Sequence, residues 1–506
     1  MSSKRAHTGC PWRALAAVIL SSSSVLTLCG CTSLREYIHN GFEVGPDYRR
    51  PPSPVAENWI DATDSRLKQG PAELCSWWTV FNDPVLDNLI QTAYQQNLTL
   101  RQAGFRILQA RAFRGITIGQ LFPQTQFADG SFTKNAQSIE TVNSRFIGNR
   151  FFDQWNLGFT VAWELDFWGR FRRAVESSTA NLDASVEDYD AVLVTLLSDV
   201  ATAYVQIRTF EERIRFATEN AAIQRKTFQV AEGRFKAGTV RDLDVAQAGS
   251  VLAQTEAAIP ELEIALRQFQ NQLCILLGIP PEDLLPKLGP AGIPKAPPEV
   301  AIGIPADLLR RRPEVRRAER QAAAQSALIG VSEAEFYPHI SLVGDLNYSA
   351  ERFKDVFSST ALNGSFGPTF QWNVLQYGRI LNDVRLQDAR FQELAAAYQQ
   401  SVLTAQQEVE NGLATFLKAQ KRVALQAKSV ADAARAVKLI NTLFEGGLVD
   451  ITQVTQLQLI LVQAQDTLAQ AQGEVPTGLI QVYRALGGGW EIRCQPAVTE
   501  TAAPTP

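Results

Sequence analysis

The sequence is written twice, and this duplication limits the possible folds more than any local feature does. Leu121-Phe122-Pro123-Gln124 recurs as Phe336-Tyr337-Pro338-His339, 215 residues on. Trp168-Gly169-Arg170 recurs as Tyr377-Gly378-Arg379, Phe235-Lys236-Ala237-Gly238 as Phe444-Glu445-Gly446-Gly447, and Leu277-Gly278 as Leu486-Gly487, each 209 residues on. Landmarks kept in one order at one spacing mark an internal structural repeat. Each half reads as a short helix, two strands, a very long helix, a tight turn and a long return helix. The first repeat is expected over residues 77–298 and the second over 299–490, followed by a C-terminal tail at 491–506.

The long helices show in the apolar spacing. From Leu182 it alternates four and three: Val186, Tyr189, Leu193, Leu196, Val200, Ala203, Ile207, Phe210 and Ile214. The same phase returns 209 residues later at Phe391, Ala395, Tyr398, Val402, Ala405, Val409, Gly412, Phe416 and Ala419. A sustained 3.5-residue period demands a left-handed supercoil of packed helices. Arg170–Lys236 and Arg379–Glu445 each hold 67 residues, roughly 100 Å of helix at about 1.5 Å per residue. Glycine turns follow, then return helices to about residues 278 and 487. Pro260 and Pro476 lie inside these returns, where a missing donor is expected to bend or break the helix.

A second period marks the strands. Trp155, Leu157, Phe159, Val161, Trp163, Leu165 and Phe167 alternate with Asn156, Gly158, Thr160, Ala162, Glu164 and Asp166. Such a run is long enough for a tilted transmembrane strand, which needs about 9–11 residues. Phe366–Val374 repeats it, Ile340–Tyr348 is a weaker third strand, and Gln126–Phe132 is the poorest of the four. The strands are expected near residues 124–134, 153–168, 339–350 and 364–378. Four strands cannot close a barrel, and lipid does not tolerate open edges. The barrel must then be shared. Three copies supply twelve strands, an even number within the known range, whereas two supply a barrel that side chains would fill.

The amino terminus gives an address. Residues 1–30 carry Lys4, Arg5 and Arg13, no acid, and an apolar stretch from Ala14 that is too short to span a bilayer, which is the form of a secretory signal. Leu28-Cys29-Gly30-Cys31 resembles a bacterial lipobox, which makes Cys31 the lipid-attachment residue and 31–76 a lipidated N-terminal segment. Thr32 after the cysteine favours release to the outer membrane. The net charge is −4, and −7 once the three leader positives are removed, which excludes nucleic acid as a partner. Cys75, Cys274 and Cys494 remain in the mature chain without metal-ligand spacing. Cys75 and Cys494 flank the repeated body, and both a disulfide between them and two isolated thiols stay open. His7, His39 and His339 are too scattered to build a site. No nucleophile–base set, metal cluster or phosphate loop is legible, so neither an enzyme nor a cofactor is expected.

Several local motifs add a resemblance. They are Gly45-Pro46-Asp47-Tyr48, Trp77-Trp78 with Phe81-Asn82-Asp83-Pro84, Trp163 through Arg170, Arg311-Arg312-Pro313-Glu314-Val315, and Ala485 through Trp490. With them the chain resembles the outer-membrane efflux channel family, the TolC-like ducts, in its NodT-type lipoprotein branch. The resemblance implies a mainly α chain with a transmembrane β-barrel part: a long coiled-coil tunnel in the periplasm and four strands per chain, closed as a homotrimer with a twelve-stranded barrel in outer-membrane lipid. It implies a passive duct for drugs or small molecules, fed by an inner-membrane pump of the RND or a related type through a periplasmic adaptor. It places the adaptor-docking tips at Gly238, Thr239 and Val240 and at Gly447, Leu448 and Val449. It places the pore aperture at Asp244, Gln453 and Gln456. Two of these are glutamines where relatives carry acids, so a strong carboxylate ring is not expected. A type I protein-secretion duct is the alternative within this class, and an envelope-spanning structural lipoprotein without a pore is the alternative outside it.

Overall fold

The computed structural model describes residues 34–70, 74–140 and 149–494. Cys31, the leader and the end of the C-terminal tail lie outside them. In chain order the main elements are helices α1 (Pro84–Gln96) and α2 (Leu98–Gly119), strands β1 (Thr125–Ala136) and β2 (Phe151–Leu165), and helices α3 (Arg170–Lys236) and α4 (Asp242–Leu276). Helix α5 (Pro313–Ala334), strands β3 (His339–Ala350) and β4 (Leu362–Gln371), and helices α6 (Arg379–Glu445) and α7 (Ile451–Ala485) follow. Helices α3 and α6 have 67 residues each, and α4 and α7 have 35 each. The fold is mainly α with four long strands, as the two periods require. Pro260 and Pro476 interrupt nothing: α4 and α7 run through them as continuous helices.

The chain divides into two compact units. The first is built from Met1–Pro51, Gln109–Asp183 and Glu319–Ala396. It contains an antiparallel sheet in the order β1-β2-β3-β4. Leu157 pairs with Gly130 and Tyr348, and Phe159 pairs with Ala128 and Leu346. Because side chains alternate across a strand, this register puts Phe132, Trp155, Leu157, Phe159, Val161, Trp163, Leu342, Leu346, Tyr348, Phe366 and Phe370 on one face. Asp129, Ser131, Asn156, Thr160, Asp345, Asn347, Ser365 and Thr369 lie on the other. Among the described residues, strands β1 and β4 each have one edge with no partner strand.

The strand ends differ from expectation for identifiable reasons. Strand β2 stops at Leu165 because the Asp166 carboxylate accepts hydrogen bonds from the Phe171 and Arg172 backbone N–H groups at 3.0 and 2.9 Å, which starts α3. Strand β4 ends at Gln371, short of the expected 378. Trp372 leaves the ladder and donates its indole N–H to the Phe336 carbonyl at 3.0 Å.

The second unit comprises Pro52–Leu108, Ala184–Ala318 and Ala397–Pro506. Its core gathers Trp77, Leu86, Ile90, Leu193, Tyr204, Leu273, Tyr398, Phe416 and Val482, all essentially without exposure. Each such side chain contributes about 1.5–3 kcal/mol by leaving water. The local motifs meet around this core. Asp83 caps α1 through the Val85 N–H at 3.0 Å and accepts the Tyr204 hydroxyl at 2.7 Å. Trp77 stacks on Tyr483 with ring centres 5.5 Å apart. A Cβ on Gly489 would lie 2.7 Å from Leu197, so the close approach requires glycine there. Arg493 forms an ion pair with the fully buried Asp190 at 2.6 Å, and burial pushes the Asp190 carboxyl up despite that partner.

Candidate functional site

The two hairpin tips are built by the same backbone device. Gly238 ends α3 at φ +73° and Gly447 ends α6 at φ +73°. At the first tip Gly238 N–H donates to the Phe235 carbonyl and Thr239 N–H to the Arg234 carbonyl, both at 2.9 Å. At the second, Gly447 N–H donates to Phe444 and Leu448 N–H to Leu443, again at 2.9 Å. This pair of bonds is the Schellman closure, whose left-handed residue favours glycine. Gly278 and Gly487 close α4 and α7 in the same way at φ +73° and +74°.

The return helices start differently, and the difference concerns the acids. At the first tip Asp244 is the third residue of α4, and its carboxylate accepts the Arg241 backbone N–H at 2.9 Å. Asp244 is only 7% exposed, turned onto its own helix start. Asp450, which corresponds to Arg241, caps α7 by accepting the Thr452 N–H at 2.8 Å. That N–H first, then the Thr452 hydroxyl and the Arg241 charge, hold the Asp450 carboxyl below the usual carboxylate range. Gln453, which corresponds to Asp244, and Gln456 are exposed.

The tips are brought together. A cleft of about 770 Å³ is lined by Gly238, Thr239, Val240, Gly447, Leu448 and Val449, with Asp244 among the deeper residues. Gln453 and Gln456 do not line it. Beneath it Ala231, Ala248, Ile440, Phe444, Ile451 and Val454 form a small apolar core. Arg234 fastens one tip to the other: its guanidinium lies 4.6 Å from the centre of the Phe444 ring and donates to the Glu445 carbonyl at 3.0 Å. Sequence reasoning missed Arg234. The only hint was that its counterpart 209 residues on is Leu443, a change of chemistry inside an otherwise kept phase.

The structure draws no bond between Cys75 and Cys494. Cys494 is exposed at the end of a short 3-10 turn, Trp490–Cys494, whose Arg493 is held on Asp190, while Cys75 is half-buried beside Trp77.

Comparison with known proteins agrees with this architecture. The family model described as outer membrane efflux protein matches residues 89–279 and 304–488. Nodulation protein T of Rhizobium leguminosarum bv. trifolii is 28% identical over 452 residues, covering 89% of this chain and 95% of its own. The pyoverdine export outer membrane protein OpmQ of Pseudomonas putida is 30% identical over 447 residues, covering 86% and 92%. The solved outer-membrane channel OprN superposes with a TM-score of 0.81 at 33% identity, over 88% of this chain and 99% of that one. With its paired long hairpins and its four amphipathic strands, the chain belongs to the outer membrane efflux protein family.

Proposed function

We propose that three copies of this chain form a closed duct across the outer membrane. In this reading the duct carries small molecules delivered by an inner-membrane pump through a periplasmic adaptor that docks at the two tips. The family makes the chain an outer-membrane channel of an efflux system. The observation that carries the finer reading is the sheet: one face is mostly apolar and aromatic, with Gln126, Lys134 and Asp153 its polar members, and among the described residues neither edge has a partner strand. Such a sheet is stable in lipid only when other copies complete it. Three copies give twelve strands, with the polar faces lining the lumen.

Acylation of Cys31 is part of the same reading. Arg172 donates to the Gly41 and Phe42 carbonyls at 2.9 and 2.8 Å, and the buried Arg173 donates to the Val44 and Gly45 carbonyls, both at 3.2 Å. Ten residues separate Cys31 from Gly41, a reach of at most about 35 Å. A lipid there would stay close to the junction of β2 and α3.

Purified protein in planar bilayers tests the duct. Discrete conductance from a species of three-chain mass is expected, with weak block by divalent cations because Gln453 and Gln456 stand where acids would be. A protein that inserts but never conducts would leave only a structural lipoprotein.

A further inference from the structure

Helices α3 and α7 meet along a line that is polar at every seventh residue of α3. Arg213 donates to Asp466 at 2.6 Å and Asn220 to Gln465 at 2.5 Å. Gln458 donates to the Thr227 hydroxyl at 2.8 Å. One heptad further along α3, Arg234 reaches the other helix of the same hairpin and donates to the Glu445 carbonyl at the end of α6. Asn220, Thr227 and Gln458 are 4%, 7% and 3% exposed. Seven residues is the interval at which a supercoiled helix returns to the same neighbour. Buried polar groups gain little when paired and are costly when unpaired. A line of them therefore selects a neighbour more than it strengthens the contact.

The internal repeat supplies a control. The α6 residues corresponding to Arg213, Asn220, Thr227 and Arg234 are Arg422, Ser429, Ala436 and Leu443. The α4 residues corresponding to Gln458, Gln465 and Asp466 are Gly249, Glu256 and Ala257. The code is absent from this second pair of edges. Ala436 would face Gly249 where Thr227 faces Gln458. Arg422 is taken by Glu474 of its own hairpin at 2.7 Å, and Glu256 by Arg225 of its own. Leu443 stays 41% exposed.

We propose that the polar line on α3 is a pairing code. It makes a first-repeat hairpin accept a second-repeat hairpin and reject the first-repeat hairpin of another copy. The proposal rests on the trimeric reading. In a ring of six hairpins of equal length and phase, length and heptad period do not distinguish first from second. The code does. A foreign α4 set against α3 offers Gly249, Glu256 and Ala257 in place of two glutamines and an aspartate, and takes away the cross-helix partners of the buried Asn220 and Thr227, which keep only the Phe216 and Ile223 carbonyls of their own helix. The small, apolar edge of α6 fits that same α4 edge on a second copy. Polar and small seams then alternate, and the ring closes with the repeats in strict order.

Differently tagged full-length copies, co-expressed and assembled in the outer membrane, test this by oxidation and non-reducing mass mapping. One copy carries Thr227→Cys and the other Gly249→Cys. With the native code no link between these copies is expected. Adding Asn220→Ser and Arg234→Leu gives α3 the residues of α6, and a 227–249 link between copies is then expected to appear. A link with the native code, or none in the recoded assembly, overturns the proposal. If the recoded chain fails to assemble, Arg213→Asp and the reciprocal Arg213→Asp with Asp466→Arg replace it. Trimer yield should fall several-fold in the first and recover in the second, and equal yields overturn the code. Ala436→Cys on one copy and Gly249→Cys on the other should link in the native background. Absence of that link overturns the trimeric reading instead.

Discussion

Trp163 donates its indole N–H to the carbonyl of Leu121 at 3.1 Å, across the turn that joins α2 to β1. The bond is made twice: Trp372, 209 residues on, donates to Phe336 at 3.0 Å. Each ties a strand to the chain entering its hairpin. Replacing Trp163 by Phe keeps a ring and removes the donor, so a loss of about 1 kcal/mol is expected. The Trp163→Phe, Trp372→Phe double variant should lose about twice that, the two sites being separate. Denaturant midpoints in detergent measure it, and unchanged midpoints would assign the indoles to packing alone.

The tips and the helical walls should respond oppositely to bulk. Gly238 has open space around the missing Cβ and Gly447 has only the Arg234 guanidinium at 4.0 Å, so the constraint at both is the positive φ. Gly238→Trp or Gly447→Trp should cost about 1–2 kcal/mol locally and abolish efflux while trimer and conductance survive. At Gly412 a Cβ would sit 3.1 Å from the Val482 backbone nitrogen. Gly412→Trp should therefore lower the amount of assembled protein. Drug susceptibility read beside trimer yield separates the two. Normal efflux in both tip variants would move docking elsewhere.

Arg234→Ala removes the clasp between the tips, a hydrogen bond and a cation–π contact together worth about 1–2 kcal/mol. Amide exchange at residues 443–448 should quicken, while exchange in the cores of α3 and α6 stays the same. Arg234→Lys should rescue only part of it, since an ammonium lacks the planar fork. Full rescue by lysine would reduce the clasp to a simple charge.

Asp450 gives a pH dependence with a defined sign. Its carboxyl is held below the usual range in the folded chain. Its charge therefore stabilises the start of α7 fully above the unfolded value near 4. That contribution is lost as pH falls through the lower, folded value. Asp450→Asn should speed exchange of the Thr452 amide at pH 7 and have little effect at strongly acid pH. An equal effect at both would show that the cap acts through geometry and not charge.

Peptide mapping of purified protein without reductant should recover Cys75 and Cys494 as separate thiols. A linked peptide would reverse this reading.

The parts legible in the sequence are those whose causes are local. Helices α3 and α6 end where a heptad phase meets a glycine that can take positive φ, and both signs can be read from a few neighbours. The alternation in β2 is equally plain, because one face must be apolar throughout. What escaped is long-range. Asp166 looks like another inward strand residue until α3 begins and uses its carboxylate. Arg234 lies 211 positions from the carbonyl it holds. The resemblance places Asp244 at the aperture, and its position three residues into α4 is in addition a capping pattern, which its bond to the Arg241 N–H fulfils.

The edges of β1 and β4, open among the described residues, have a genetic consequence. In the trimeric barrel proposed above, every seam in the membrane joins one copy's β1 to another's β4. A chain with a spoiled edge but sound helices would still enter assemblies and leave them unclosed. Where sound and spoiled chains are made in equal amounts and mix freely, only about one assembly in eight contains three sound copies. Lesions at these two edges should therefore behave as dominant alleles, silencing most of the product of an intact gene, whereas lesions that unfold the chain should be recessive.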